Sequence, residues 1–369
     1  MRRVLKADRV LFFTTIGLLL IGFFILASAS MGLLARSASG GSDFVGVVFQ
    51  QILFGAFGCL ALFIFAGKIE YRHLAKWSAP FLLFTLGLTS LVFIPGIGFT
   101  HGGASRWISV GPLFFQPSEF LKLALVIYSA AWISSKRRKI TDFKSGFLPF
   151  AGVLALAGFL LVLQRDLGTL GVMISTSVAL FFLGKGKMKH FLLILGVMAL
   201  AFAALVYFEP YRMSRVTVFL NPSHDPQGAG YQLRQSLIAI GSGGITGKGF
   251  GMSMQKFSYL PEPVSDSIFA VFSEEFGFFG SVGLIGLLVF FLYRGFAIAI
   301  RSPDDFGKLL GAGIVLLIVI QSFINISAMI GIFPLTGVPL VFVSKGGSSL
   351  VAALAASGVL LNISKYARM

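Results

Sequence analysis

Charge is scarce in this chain, acids are scarcer still, and cysteine is almost absent. Asp, Glu, Lys and Arg make up 12% of its 369 residues, where a soluble domain carries about a quarter. With 56% hydrophobic residues and a mean hydropathy of +0.90, that shortage excludes an ordinary soluble enzyme and a disordered chain. The single cysteine, Cys59, excludes a disulfide scaffold and a cysteine-rich metal site. The four histidines (His73, His101, His190, His224) are scattered, and no HExxH or paired-cysteine spacing is present, so a zinc enzyme has no ligand set. There is no GxSxG elbow either. No linker, internal repeat or separable soluble domain interrupts the chain.

Long apolar runs fill it instead. A membrane-spanning helix needs about 20 mostly apolar residues, and ten stretches qualify. They lie near 10–34, 45–67, 74–94, 113–133, 147–164, 168–184, 190–208, 267–293, 309–330 and 339–363. The expected fold is an all-α polytopic membrane protein with ten transmembrane helices. Residues 1–369 form one integral membrane domain, with 209–266 as a long extracytoplasmic loop between helices 7 and 8. The first stretch is too long for a signal-peptide core and reads as a retained helix.

The charges set an orientation. Thirty Lys+Arg against 14 Asp+Glu give a formal net charge of +16. Arg2, Arg3, Lys6, Arg9, Lys68, Arg72, Lys76, Lys136–Lys139, Lys144, Lys185, Lys187 and Lys189 fall on alternate short loops. Arg294, Arg301, Lys308, Lys365 and Arg368 fall on the same side. The opposite short loops hold Arg36, Arg106, Arg165 and Lys345. The positive-inside rule therefore predicts both termini in the cytoplasm, and explains the net charge without nucleic acid.

Two regions are not explained by insertion. One is the 209–266 segment, which carries Arg215, Arg234, Gln235, Lys248, Lys256, Glu262 and Asp266. Its Tyr231–Ile240 stretch predicts a short interfacial helix, and Tyr231, Phe250, Phe257 and Tyr259 suit the headgroup level. Its glycine-rich part, Gly241–Gly251, fails as a Walker A loop, with Ser242 at the first glycine position and Gly249 after the lysine. A tight turn and a backbone anion site both fit it. The other region is a set of ions in or beside spans: Glu119, Lys122, Arg165, Asp166, Glu274 and Glu275. Glu119 and Lys122 share a helix face, either as a structural ion pair or at the base of a polar cavity. Glu274 and Glu275 diverge by about 100° on a helix, so they cannot share one partner. Asp266, between two serines and ahead of an apolar helix, has the spacing of an N-cap.

The stretch LPEPVSDSIFAVFSEEFG (Leu260–Gly277) carries a resemblance. With SRWISVGPLFFQPSEFLKLAL, QRDLGTLGV, the 215–251 segment and GIFPLTGVPLVFVSKGGSSL in the same order, the chain resembles the SEDS family of bacterial cell-wall polymerases. QKFSYLPE is closer to its FtsW (division) type than to its RodA (elongation) type. The resemblance implies polymerisation of lipid II into glycan strands at the outer face of the plasma membrane, with Asp266 as the essential residue. An inverting transfer from a pyrophosphate-linked sugar needs one general base and a neutralised leaving group. Asp266 would be that base. Arg106, Glu119, Lys122, Asp166, Arg215, Gln235, Lys256, Glu262, Ser348 and Ser349 would line the substrate site. A divalent cation, Mg or Mn, is an alternative source of positive charge, though no metal ligands are identifiable. The implied partners are lipid II, the growing strand, a class B penicillin-binding transpeptidase and other divisome or elongasome membrane proteins. Gly277, Gly280, Gly283 and Gly286 offer that transpeptidase one helix-packing groove. A lipid II transporter and a non-catalytic scaffold are the competing readings. The chain departs from the family pattern at Arg165, where proline is usual, and at Lys345, where tyrosine is usual.

Overall fold

The structure is a computed structural model and describes residues 6–34, 40–101, 103–111, 113–136, 139–208, 210–221 and 228–367. Arg2, Arg3, Arg36, Arg137, Arg138, His224 and Arg368 of the sequence reading lie outside the described residues. Thirteen α-helices are present among them: α1 (Arg9–Leu34), α2 (Gly40–Gly67), α3 (Tyr71–Ser90), α4 (Pro117–Ser135), α5 (Leu148–Leu163), α6 (Leu167–Leu183) and α7 (Met188–Phe208), then α8 (Pro210–Leu220), α9 (Ala229–Ser242), α10 (Gln255–Ser258), α11 (Ile268–Arg301), α12 (Asp305–Met329) and α13 (Gly347–Ser364). Seven described helices are long and apolar enough to cross a membrane. The remaining expected spans correspond to α4, which carries Glu119 and Lys122, to the shorter α6, and to α7. The chain is a mostly helical, multi-pass membrane protein.

One element departs from an all-α fold. Between α3 and α4 lies a three-stranded antiparallel sheet: β1 (Gly98–His101), β2 (Ala104–Val110) and β3 (Leu113–Phe115). Residues 113–115, expected within a span, are a strand; the helix begins only at Pro117, whose fixed φ suits a first turn. The long 209–266 segment is likewise not an open loop. It holds α8, α9 and α10, and α9 extends the interfacial helix expected at 231–240.

Ion pairs and amides gather the helix ends at one pole. Asp8, just ahead of α1, pairs with Arg294 of α11 at 2.5 Å, and its N–H donates to Ser364 of α13 at 2.9 Å. The N–H of Tyr71 donates to Asn362 Oδ1 of α13 at 3.0 Å, while its hydroxyl bonds Asp304 ahead of α12. The described ends of the chain, at Asp8 and Ser364, therefore lie on one side of the bundle. Within it α12 and α13 are almost wholly buried, so they read as apolar on every face.

Helix α11 is broken at Gly277 (φ 65°, ψ −162°). A break at membrane depth frees backbone groups that lipid cannot satisfy. The glycine-rich segment supplies the partners. Lys248 and Gly249 N–H donate to the carbonyls of Glu274 and Glu275, both at 3.0 Å, and Phe278 and Phe279 N–H donate to those of Gly244 and Ile245 at 2.9 and 3.2 Å. The approach leaves no room for side chains: a Cβ on Gly277 would sit 2.3 Å from Gly247 N, and one on Gly247 2.2 Å from the Glu275 carbonyl. The glycines serve a backbone clamp, which decides between turn and anion site. Gly277→Ala is expected to combine this clash with an unfavourable positive φ and to lower the Tm of purified protein by several degrees, on the order of 1–3 kcal/mol. An unchanged melting curve would contradict the clamp.

Two carboxylates fasten the same clamp. Glu274 accepts from Lys248 Nζ at 2.6 Å and from the Met254 and Gln255 N–H groups. Glu275 accepts from Lys256 Nζ at 2.7 Å and from Ser28 of α1 at 2.6 Å. The two acids thus diverge to different lysines, as their 100° separation on the helix requires.

Candidate active site

At the pole opposite Asp8, three polar clusters converge on the extended segment 334–340, between α12 and α13. The first surrounds Asp266. The chain turns through Pro261–Ser265, with Glu262 in the left-handed region (φ 48°), where its carbonyl accepts from the Ser265 and Ser267 N–H groups. The N-cap of α11 is Ser267, without a side-chain cap bond, so Asp266 is not the cap its spacing suggested. Asp266 Oδ2 accepts from Gln232 Nε2 of α9 at 3.3 Å, and the same amide donates to Ser267 Oγ at 3.1 Å. Oδ1 is buried and finds no hydrogen-bond partner among the described residues. The Asp266 carbonyl accepts from Asn325 Nδ2 of α12 at 2.8 Å. Burial raises the Asp266 carboxyl to about 6, the nearby Glu262 charge adds to the rise, and the Gln232 hydrogen bond and Arg215 charge oppose it. Arg215, on α8, donates to the Leu335 carbonyl at 2.7 Å.

The second cluster joins Arg106 of β2 to Asp166. The guanidinium stands 3.9 Å from Asp166 Oδ1 and bonds the Arg165 carbonyl. Asp166 caps α6 through the Thr169 N–H at 3.2 Å and accepts from Gln116 at 3.3 Å, whose own N–H donates to Ser348 Oγ at 2.9 Å. The third cluster is the buried pair Lys122–Glu119 at 2.9 Å. Lys122 also donates to Gln321 Oε1 at 2.5 Å, and Gln321 reaches the Pro339 carbonyl at 3.2 Å and Ser349 at 3.4 Å. Glu119, Lys122, Gln321 and Ser349 border a cavity of about 20 Å³, enough for a water molecule.

Segment 334–340 ties the clusters together. Gln321 and Asn325, one turn apart on α12, hold the carbonyls of Pro339 and Val338. Gly168, in the first turn of α6, packs so closely on Thr336 and Val338 that a Cβ would stand 2.4 Å from Val338 Cγ2. A Cβ on Gly337 would lie 3.9 Å from Asp266 Oδ2.

Of the residues named from sequence, Asp266, Glu262 and Arg215 are brought together by contact or charge. Arg106, Asp166 and Ser348 form the second cluster; Glu119, Lys122 and Ser349 form the third. Gln235 shares no hydrogen bond with Asp266 among the described residues; Gln232, three residues earlier, does. Lys256 is fully buried and committed to Glu275, Ser28 and the Gly251 carbonyl, so it belongs to the clamp. The amides Gln116, Gln232, Gln321 and Asn325 join these clusters without bearing a charge that would mark them in the sequence. Gln321 and Asn325 had a signal, as two amides four residues apart in an otherwise apolar span.

Both departures from the family pattern border these clusters. Arg165 occupies the left-handed position (φ 58°) of a Schellman turn closing α5, with Arg165 N–H on Val162 and Asp166 N–H on Leu161. Proline can neither adopt that φ nor donate that bond, so this turn is built differently from a Q-P-D turn. Lys345 is exposed, and its N–H donates to the Val264 carbonyl at 2.8 Å, two residues from Asp266.

Fold and site together define a polytopic membrane protein with a partly buried, raised-pKa carboxylate at one face and the Arg215 charge beside it. The chain belongs to the FtsW/RodA/SpoVE family, described as cell cycle proteins, whose model matches residues 9–369. It is 42% identical over 362 residues to stage V sporulation protein E of Bacillus subtilis (strain 168), covering 98% of each chain. It is 37% identical over 369 residues to the probable peptidoglycan glycosyltransferase FtsW of Geobacter sp. (strain M18), covering 100% of this chain and 99% of the relative. Two solved structures share the fold at 28% identity. One, described as structural coordination of polymerization and crosslinking by a peptidoglycan synthase complex, gives a TM-score of 0.78 over 97% of both chains. The other, the rod shape determining protein RodA of Thermus thermophilus, gives 0.70 over 97% of this chain and 96% of that one. The protein is a multi-pass inner-membrane protein of this family.

Proposed function

We propose that this protein is a peptidoglycan glycosyltransferase that polymerises lipid II into glycan strands, with Asp266 as general base on the outer face of the membrane. The observation that carries this reading is the Asp266 carboxylate. Among the described residues it caps no helix, pairs with no cation and keeps one oxygen unpartnered, and burial raises its pKa toward neutrality. Those are the properties of a proton acceptor rather than of a structural acid.

In the proposed step the acceptor sugar hydroxyl gives its proton to Asp266, and its oxygen bonds the anomeric carbon of the donor. The bond from that carbon to the undecaprenyl pyrophosphate breaks, and the pyrophosphate leaves with the electron pair. Inversion of the α-linked donor gives a β-1,4 bond. Arg215 beside Asp266 and Arg106 on the second cluster supply positive charge for the leaving group. A divalent cation, Mg or Mn, would neutralise the same charge but would have to take its ligands chiefly from the substrate's phosphates, since among the described residues no three His, Cys, Asp or Glu side chains are grouped to hold one.

The relatives' names and the peptidoglycan synthase complex among the similar structures support lipid II, the growing strand and a class B penicillin-binding transpeptidase as partners. Other divisome or elongasome proteins complete that expectation. Along the glycine stripe, Gly277 is already packed on Ile245 and Gly247, whereas Gly283 and Gly286 have open space beside them. The transpeptidase groove is therefore confined to the latter half of the stripe.

A transporter would use the broken helix as a substrate site. Here four of the groups freed around Gly277 are taken by residues 244–249, which favours the enzyme. The test is purified protein in liposomes supplied with labelled lipid II. Glycan polymer is expected. Headgroup translocation without polymer would establish the transporter, and neither product, with or without the transpeptidase, would leave only a scaffold.

A further inference from the structure

Two independent rulers run from the Asp8–Arg294 ion pair, where charges mark one membrane boundary. Along α1, the 20 residues from Asp8 to Ser28 rise about 30 Å at 1.5 Å per residue. Along α11, the 15 residues from Arg294 back to Phe279, all on one side of the break at Gly277, rise about 22 Å. The α1 length matches a hydrocarbon core of about 30 Å. It ends on a buried cluster in which Ser28, Lys256 and Glu275 bond one another. That cluster therefore marks the opposite boundary, on the Asp266 side.

The glycine-rich segment reaches below it. The Ile245 carbonyl accepts from Phe279 N–H, and the Phe250 ring stacks on Phe24 with centroids 4.2 Å apart. Phe24 lies four residues inward of Ser28, about 6 Å deeper and about 24 Å from Asp8, and Phe279 stands at a matching depth, about 22 Å from Arg294. Ile245 and Phe250 share that depth. Their neighbours on the spans are open to the lipid, with Phe279 66% and Phe24 57% exposed. The segment continues that surface, with Ile245 65% and Met252 63% exposed. Its single ion within 243–252, Lys248, is paired with Glu274 at 2.6 Å, so no unpaired charge is carried down.

We infer that residues 243–252 form a re-entrant loop whose tip, Ile245 with Phe250 and Met252, contacts lipid acyl chains in the leaflet on the Asp266 side. The backbone bonds that seal the break in α11 make this depth tolerable, because irregular backbone survives there only when the protein satisfies it. The inference rests on membrane insertion alone and is independent of the reaction.

The test uses full-length protein in phosphatidylethanolamine–phosphatidylglycerol liposomes on a Cys59→Ser background. Nitroxide labels are placed through Ile245→Cys, Met252→Cys, Phe279→Cys as a lipid reference and Arg234→Cys as an aqueous reference. At 245 and 252 the ratio of oxygen to nickel-chelate collisions is expected to match 279 and to exceed 234 several-fold. A ratio equal to that at 234 would overturn the inference. So would loss of oxygen access at 245 and 252 alone when purified transpeptidase is added, which would make this face a protein dock. Unmodified protein gives a second readout through a photoactivatable acyl-chain phospholipid. Cross-links are expected on the 241–254 peptide, and cross-links confined to the spans would contradict the loop.

Discussion

Asp266→Asn should leave a folded, lipid II-binding protein that makes no detectable glycan. The substitution is close to isosteric. Asn keeps an oxygen for the Gln232 amide, and the Asn325 bond goes to the backbone carbonyl, which the substitution does not touch. Removing a partly buried carboxylate with an unpartnered oxygen costs the fold nothing, so Tm should hold or rise. What is lost is the proton acceptor, worth about 10²–10⁴-fold in rate. The measurement is polymer formation from labelled lipid II, with substrate binding and thermal unfolding run in parallel. Activity within tenfold of the unaltered protein would remove Asp266 from the chemistry.

Lys256→Met should give the largest loss of stability of any single change considered. It strands Glu275 in a site with no exposure and removes the partner that Ser28 and the Gly251 carbonyl share. Breaking one half of a buried pair costs about 3–5 kcal/mol, because the remaining charge is uncompensated. A drop of this size should appear as a lower Tm in detergent and less protein in membranes. The double variant Lys256→Met/Glu275→Leu should recover most of the loss, since well-packed apolar replacements of buried pairs are often neutral. A single variant as stable as the double would mean that the clamp does not depend on this pair.

Much of this architecture is legible before any coordinates. The apolar runs mark α1, α5, α11 and α12 directly, whereas the run expected from 339 becomes helix α13 only at Gly347, and the three-residue spacing of Glu119 and Lys122 correctly pairs them. The divergence of Glu274 and Glu275 foretells their separate lysines. Other parts carry no such signal. Strands β1–β3 are three to seven residues long, between two spans, where a period of two is too brief to stand out. The Asp266 spacing is that of an N-cap, and only the fold shows Ser267 in that place and Gln232 across from the acid. Lys256 looked like a substrate cation because it lies in a polar segment; its burial against α1 depends on a contact between residues 228 apart in sequence. The amides Gln321 and Asn325 bear no charge to mark them in an apolar run, although they link Asp266, Lys122 and segment 334–340.

Loss of activity in Asp266 variants has more than one cause, so the sharper measurement is how rate depends on pH. A base must be ionised to act, and the Asp266 carboxyl lies at about 6. For the unaltered protein, kcat/KM for lipid II should therefore fall tenfold per pH unit below about 6 and level off above it. Glu262→Gln removes a negative charge that raises Asp266, so the inflection should move to lower pH while the plateau remains. A profile flat from pH 5 to 8, or one that ignores Glu262→Gln, would contradict Asp266 as the base.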